Sequence, residues 1–341
     1  MLQEVFAVMA ILGMIVGSGF ITGKEIVVFF SRFGSYSFLT IFLSFFIFFF
    51  AFKFILNYSK KISQKISKSK FAMFTNIILC TIFSSAMFGG INNLLNFDKK
   101  LINFVIFCVI LLFCCLIFKK GGDFFNKLNL ILVPLMLLVF VVLLCYKIKM
   151  PQLSFSNFGG ISIFYCLLYC LLNISNGVVV IAGLGQSLSK KQKARVAFIS
   201  ALVLCIILLL TNIVLLNSPA SFEEEMPMLT LFSYGGRIIM TFVIFVGCLT
   251  TLFSIIYSCS SSIRGICKNE YLNFSLSIIL PLVLSLWGFS NIVQHLYPLA
   301  SVMGGALLVQ LFFIPPLKRG DKKIHSSRKN TKNKNACHDD I

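Results

Sequence analysis

"IVGSGFITGKE", residues 15–25, interrupts an apolar run that begins near residue 5 and ends near residue 30. The stretch contains three glycines and a lysine–glutamate pair. Glycine costs a helix about 1 kcal/mol relative to alanine, and a charge at bilayer depth costs about 2.5–3.5 kcal/mol. A segment of membrane-spanning length that carries both is expected to do something that a regular helix cannot.

The composition of the chain excludes a water-soluble globular protein. Hydrophobic residues make up 58% of the sequence, charged residues make up 12%, and the mean hydropathy is +0.95. Apolar runs of about 20 residues, the length that crosses a bilayer, recur along the whole chain. Because backbone groups in lipid must be hydrogen-bonded within their own segment, these runs predict helices. The predicted class is an all-α integral membrane protein.

The apolar runs and the polar breaks between them predict ten transmembrane helices. Residues 1–317 would form a single transmembrane domain, followed by a basic, disordered cytoplasmic tail at 318–341. The tail lacks the interleaved aromatic residues of a nucleic-acid-binding surface, so we expect no nucleic-acid partner. The ten predicted spans are approximately 5–30, 35–57, 71–96, 101–118, 124–146, 161–188, 196–217, 229–262, 273–289 and 291–316.

The distribution of basic residues predicts the orientation of these spans. If the N-terminus is cytoplasmic, the inward loops and tail carry 23 lysines and arginines, and the outward loops carry 6. Basic residues concentrate on the cytoplasmic side of membrane proteins. We therefore expect both termini in the cytoplasm, and a multi-pass protein of the bacterial cytoplasmic (inner) membrane.

Two of the ten spans differ from the others because polar or flexible residues interrupt them. The first is interrupted at residues 17–19, and the sixth near residues 173–177. Each is the first span of a five-span half, residues 5–146 or 161–316. Interruptions at corresponding places in two halves are typical of transporters built from inverted repeats. The prediction is a 5+5 inverted repeat with helices 1 and 6 discontinuous.

Interrupted helices at mid-membrane expose amides that favour a carboxylate and carbonyls that favour a cation. The residues at the two breaks are therefore our candidates for binding a small-molecule substrate. Two serines in the third span are further candidates, although small residues at helix contacts are an equally ordinary explanation for them. The full candidate set is Gly17, Ser18, Gly19, Phe20, Asn173, Ser175, Asn176, Gly177, Ser84 and Ser85.

The broken first span also resembles a known family. "GSGF" is similar to the motif of permeases of the amino acid–polyamine–organocation superfamily, and "GSGFITGKEI" resembles the YkvI-type bacterial membrane proteins of that superfamily. "NLILVPLML" in the fifth span, with Asn129 and Pro134, resembles the same group. The resemblance implies the LeuT-type fold and a transporter of amino acids, without specifying the substrate.

The resemblance also implies a coupling ion. LeuT-type sodium symporters hold sodium between the first and eighth spans, and the matching positions here are Gly13, Val16, Gly247, Thr250 and Thr251. Hydroxyl and carbonyl oxygens suit a hard cation. Threonines in membrane helices also often bond their own i−4 carbonyl, which is the alternative for this pair. No other cofactor is predicted.

Glu25 is the one acidic residue well inside a predicted span, and it leaves two possibilities open. It is either a local ion-pair partner of Lys24 or a proton-linked carboxylate. We therefore predict a secondary transporter that moves a small amino acid or related zwitterion with sodium or a proton by alternating access. A non-transporting receptor on the same fold is the alternative. No catalytic residues are expected, and the only partners that can be inferred are the substrate and the lipid bilayer.

Overall fold

The computed structural model describes residues 2–95, 122–149, 159–264 and 269–313. Every secondary-structure element within these ranges is helical. The predicted all-α class is therefore confirmed for the part of the chain that the structure describes. The predicted fourth span (101–118) and the predicted tail (318–341) lie outside the described residues.

The first predicted span consists of three short helices. They are α1 (Leu2–Ile15), α2 (Ser18–Ile21) and α3 (Lys24–Phe29). The chain thus leaves helical geometry twice between residues 15 and 24, and a glycine lies at each interruption. We call this region, residues 2–29, the divided segment.

The backbone leaves helical geometry in a different way at each of the two interruptions. The Gly17 N–H donates to Ile15 O at 2.9 Å, whereas a continuous helix would direct it to the carbonyl of Gly13. Gly23, which precedes α3, has a φ of 80°. Residues with a Cβ rarely adopt that left-handed conformation. The divided segment therefore follows directly from the glycine positions in the sequence.

The remaining helices follow the predicted apolar runs closely. The long helices begin and end within a few residues of the predicted boundaries. Two short helices, α5 and α10, lie between them. In chain order, the helices are α4 (Tyr36–Asn57), α5 (Ser59–Lys68), α6 (Lys70–Leu94), α7 (Gly122–Lys147), α8 (Gly159–Leu184), α9 (Lys190–Leu216), α10 (Pro227–Thr230), α11 (Tyr234–Arg264), α12 (Glu270–Ser285) and α13 (Phe289–Phe312).

Six helices within the described ranges are long and apolar enough to cross a membrane, namely α4, α6, α8, α9, α11 up to Ile256, and α13. Shorter apolar helices occupy Gln3–Ile15, Ile131–Lys147 and Ser275–Ser285. Large apolar side chains such as Leu39 and Phe50 are 62% exposed on α4. Such surfaces require an apolar surrounding rather than water. The chain is therefore a helical, multi-pass membrane protein.

Serine caps define where two of the long helices begin. Ser69 Oγ accepts a hydrogen bond from the Ala72 N–H at 3.2 Å at the start of α6. Ser189 and Gln192 form a reciprocal capping box at the start of α9. Such caps satisfy amides that have no partner within the helix. They explain why a new helix begins directly after Ser69 and directly after Ser189.

One polar connection predicted as a loop is a helix instead. Residues 58–70 carry five lysines and were expected to link the second and third spans as a loop. The structure places α5 there, with Ile62 fully buried. Its isoleucines recur at helical spacing, so one face packs against the protein. Lys65 also contacts the protein, because its ammonium donates to the Gln310 carbonyl of α13.

The predicted interruption of the sixth span is wrong, because α8 runs unbroken through residues 173–177. Its polar side chains bond carbonyls of their own helix: Asn173 Nδ2 donates to Tyr169 O at 3.0 Å, and Ser175 Oγ donates to Leu172 O at 2.9 Å. Such local bonds satisfy polar groups without opening the helix. The predicted symmetry between helices 1 and 6 is therefore absent from the described structure.

The divided segment lies among the long helices rather than at their periphery. α1 contacts α7, α8 and α9, while α2 contacts α6 and α11. α3 contacts α8 and the first turns of α13. Consequently, each interruption of the segment faces side chains from several other helices.

Candidate functional site

The two central glycines of the divided segment are each packed against a polar side chain. A Cβ at Gly17 would lie 3.0 Å from Thr251 Oγ1, and a Cβ at Gly19 would lie 2.8 Å from Glu25 Cδ. Real Cβ atoms rarely approach other atoms so closely. The absence of side chains at 17 and 19 therefore permits the backbone of α2 to approach α11 and the carboxyl group of α3.

The other two substrate candidates of the first break differ from the glycines. Ser18 begins α2, and its side chain lies outside the described part of the structure. Phe20 is fully buried, and its ring packs edge-on against Phe140 of α7 with centroids 6.3 Å apart. The contact of Phe20 is therefore a packing contact between α2 and α7.

The two threonines among the five residues predicted to bind sodium differ in their hydrogen bonds. Thr250 Oγ1 already donates to Val246 O at 3.0 Å and to Gly247 O at 3.2 Å within α11. Thr251 Oγ1 is buried and has no hydrogen-bond partner among the described residues. Thr250 therefore bonds carbonyls of its own helix, which was the alternative expectation for this pair. The hydroxyl of Thr251 remains available to a ligand.

The first-span members of that set lie on both sides of the end of α1. Gly13 is in α1 where that helix crosses α7, because a Cβ there would lie 3.0 Å from Val133 Cγ2. Val16 is fully buried between α1 and α2. The Gly13 carbonyl lacks the amide of Gly17 as its helical partner. The structure therefore brings an altered backbone and the Thr251 hydroxyl to the same place.

The candidates in α8 serve helix packing. A Cβ at Gly177 would lie 2.9 Å from Met14 Sδ in α1. Ser175 adjoins α13, where a Cβ at Gly304 would lie 2.7 Å from Ser175 Cβ. Asn176 is half-buried. Small residues at such crossings let helices approach closely, so Ser175 and Gly177 are explained without a ligand.

The two serines of α6 have different surroundings. Ser85 Oγ donates to Ile82 O at 2.7 Å. Ser84 Oγ is buried and has no hydrogen-bond partner among the residues described. Ser84 follows Phe83, whose ring lies 5.1 Å from that of Tyr297 in α13. Ser84 is therefore the stronger of the two candidates.

Glu25 is not paired with its neighbour Lys24. The Lys24 ammonium donates to Phe222 O at 3.1 Å and to Glu224 O at 2.9 Å, which ties α3 to the connection before α10. The Glu25 side chain is 5% exposed, and its Oε2 has no hydrogen-bond partner within the described ranges. The interpretation of these residues as a local ion pair is therefore wrong.

Two tyrosines near Glu25 did not emerge from the sequence. Tyr169 of α8 and Tyr297 of α13 are fully buried, and neither hydroxyl has a hydrogen-bond partner among the described residues. Tyr169 lies in α8 and Tyr297 follows the first turns of α13, and both of these parts of the structure contact α3, which carries Glu25. Buried tyrosine hydroxyls usually find a partner. A tyrosine inside an apolar run is the sequence signal that identifies such residues.

The candidate site thus comprises the divided segment and the helices that contact it. Its unpartnered atoms come from α3, α6, α8, α11 and α13. Burying a polar group without a hydrogen bond costs about 1–3 kcal/mol in proteins, so each such group needs a partner such as a water molecule or a ligand. Searches against protein-family models and against curated proteins find no match. The class that the structure defines is a helical multi-pass membrane protein, and its function must be inferred from the site.

Proposed function

We propose that this protein is a secondary transporter that moves a small amino acid or a related zwitterion together with a cation. The observation that carries the proposal is the divided segment, whose Gly17 and Gly19 adjoin Thr251 and Glu25. Non-helical backbone at membrane depth is tolerated where it is buried in protein or lines a cavity. Divided helices with this placement form the substrate and ion sites of many secondary transporters.

The proposed architecture is the LeuT-type arrangement of ten spans in one domain. It is supported by the divided segment, by the positions of the described helices and by the charge distribution of the loops. The unbroken α8 differs from the discontinuous sixth helix of that arrangement. In this proposal the first span alone supplies the broken backbone, and α8 contributes side chains instead.

We propose sodium as the coupling ion, with Thr251 as its most important side-chain ligand. The unpartnered Thr251 Oγ1 next to Gly17 supports this choice, because sodium requires oxygen ligands. Gly13, Val16, Gly247 and Thr250 complete the proposed set. A bound sodium would supply positive charge that ties α11 to the divided segment.

The proposed setting is the bacterial cytoplasmic membrane, with both termini on the cytoplasmic side. The connection that carries Glu223, Glu224 and Glu225 would then face outward, and Lys24 would lie near the outer surface. The asymmetry of 23 against 6 basic residues supports this orientation.

Ligand-dependent stability of the purified full chain tests the proposed function. Glycine, L-alanine, L-serine and other small amino acids are added in sodium or in potassium buffer of equal ionic strength. We expect at least one of them to raise the melting temperature, and sodium to enlarge the effect. A ligand at 100 times its Kd adds about 2.7 kcal/mol to the stability. Absence of stabilisation by every small amino acid in both buffers would contradict the proposal.

A further inference from the structure

Glu25 places a carboxylate at the centre of the helices without a partner for Oε2 among the described residues. Its side chain is 5% exposed. An isolated buried charge is so costly that it must be neutralised by a proton or matched by a cation. Whatever neutralises Glu25 is therefore part of the function of this site.

Three basic side chains of the described ranges make contacts with groups other than Glu25. Lys24 donates to two backbone carbonyls of the connection before α10. Arg32 lies over the ring of Tyr165, 4.0 Å from its centroid, and Arg195 pairs with Glu4 at 2.8 Å. None of these three side chains serves as the counter-charge of Glu25. Among the described residues, these contacts leave the neutralisation of Glu25 to a proton or to a cationic ligand.

Two phenol groups accompany the carboxylate. The hydroxyls of Tyr169 and Tyr297 come from α8 and from the start of α13, which both contact α3, and they lack hydrogen-bond partners within the described residues. Together with Glu25 Oε2 they provide three oxygen atoms that can accept hydrogen bonds. A primary ammonium group carries three N–H donors. The three acceptor oxygens match the three N–H donors in number, and the negative charge of the carboxylate matches the positive charge of the ammonium group.

The surroundings also suit an organic cation. The ring of Tyr169 lies 4.9 Å from that of Phe30 and 5.6 Å from that of Phe29, and the ring of Tyr297 lies 5.1 Å from that of Phe83. Aromatic rings attract cations through their negative faces, and the attraction increases when the cation is desolvated. An ammonium group is thus better accommodated here than a second carboxylate or an apolar group.

We propose that Glu25, Tyr169 and Tyr297 form the recognition site for a primary ammonium group, with Glu25 as its counter-charge. The inference deepens the proposed transport function, because the ammonium group would be that of the transported zwitterion. It adds Tyr169 and Tyr297 to the substrate site and gives Glu25 a role other than proton carrier. The carboxylate approaches the ligand from α3, directly beside the backbone of Gly19.

Methylammonium is the probe, because it contains the ammonium group and little else. Its Kd is measured by thermal shift on the full chain at constant pH and ionic strength, with potassium chloride as the balancing salt. Tetramethylammonium, which has no N–H donor, is the matched probe. We expect methylammonium to stabilise the wild type and tetramethylammonium to bind at least about 10-fold more weakly, because three charge-assisted hydrogen bonds are missing.

Glu25→Gln is the decisive variant, because glutamine has the shape of a protonated glutamate without the charge. We expect a Kd for methylammonium about 10- to 100-fold higher than that of the wild type. Glu224→Gln, which removes an exposed carboxylate, is the control and should leave the Kd unchanged. An unchanged Kd in Glu25→Gln would overturn the inference and identify Glu25 as a neutral or proton-carrying group.

Tyr169→Phe and Tyr297→Phe provide a second test if Glu25→Gln does not fold, because they keep every ring carbon. Each is expected to raise the Kd about 3- to 10-fold. Wild-type protein that is not stabilised by methylammonium, or phenylalanine variants that bind it as tightly as the wild type, would overturn the inference. Sodium-driven uptake is measured separately, so failure of transport with intact methylammonium binding contradicts only the proposed function.

Discussion

Gly19→Ala is expected to raise the Kd for the amino-acid ligand by about 10- to 100-fold, the usual effect of overpacking a tight contact. The added methyl group would lie 2.8 Å from Glu25 Cδ, so the carboxyl group would have to leave its position. Gly17→Ala should be milder, since its methyl group would lie 3.0 Å from Thr251 Oγ1. Ligand titration by thermal shift measures both effects.

Gly183→Ala is the matched control for these glycine variants. Gly183 is exposed on α8, and an added Cβ there meets no atom within 4 Å. Its Kd should equal that of the wild type. In a Glu25→Ala background, Gly19→Ala should have little further effect, because the side chain that it displaces is gone. If Gly19→Ala raises the Kd by the same factor in the wild type and in the Glu25→Ala background, Gly19 acts independently of Glu25.

Thr251→Val is expected to remove most of the sodium dependence of ligand binding while leaving the fold intact. Valine has nearly the shape of threonine but lacks the hydroxyl, which here has no protein partner within the described ranges. Linkage requires that sodium and substrate strengthen each other equally. The enhancement of ligand affinity by sodium should fall about 10-fold or more, the usual effect of losing a bond to a charged group.

Thr250→Val is the control that the structure offers for this prediction. The Thr250 hydroxyl already donates to Val246 O and Gly247 O, so its loss should change the sodium effect by less than the loss of Thr251. Thr251→Ser keeps the hydroxyl and should retain coupling. Titrations of ligand against sodium at constant ionic strength separate the three variants. A larger effect at Thr250 than at Thr251 would contradict the assignment.

Much of the fold follows from hydrophobic length and from glycine. The apolar runs predict the described long helices to within a few residues, and Gly17 and Gly23 mark where the divided segment leaves helical geometry. The same reasoning fails at α8, because Asn173 and Ser175 bond their own helix while Gly177 accommodates Met14. A sequence shows that a residue is small or polar, but the structural role of that residue depends on which helix packs against it.

The candidate site could be predicted only in part for the same reason. Glu25 is conspicuous as an acidic residue inside an apolar run, and the glycines beside it are equally visible in the sequence. Tyr169 and Tyr297 are 128 positions apart and come to the same helix, α3, only because α8 and the start of α13 both pack against it. The contrast between Thr250 and Thr251 likewise depends on rotation about α11, which sequence spacing alone does not determine.

Uptake into proteoliposomes tests the central claim of cation-coupled transport most directly. The full chain is reconstituted into vesicles, and accumulation of a radiolabelled ligand identified by thermal shift is followed under an inward sodium gradient. The account predicts accumulation above equilibrium that disappears when potassium replaces sodium, and that Thr251→Val strongly reduces. Tight binding of the same ligand without any uptake would contradict transport and favour the receptor alternative. Accumulation that follows a proton gradient and ignores sodium would contradict sodium coupling.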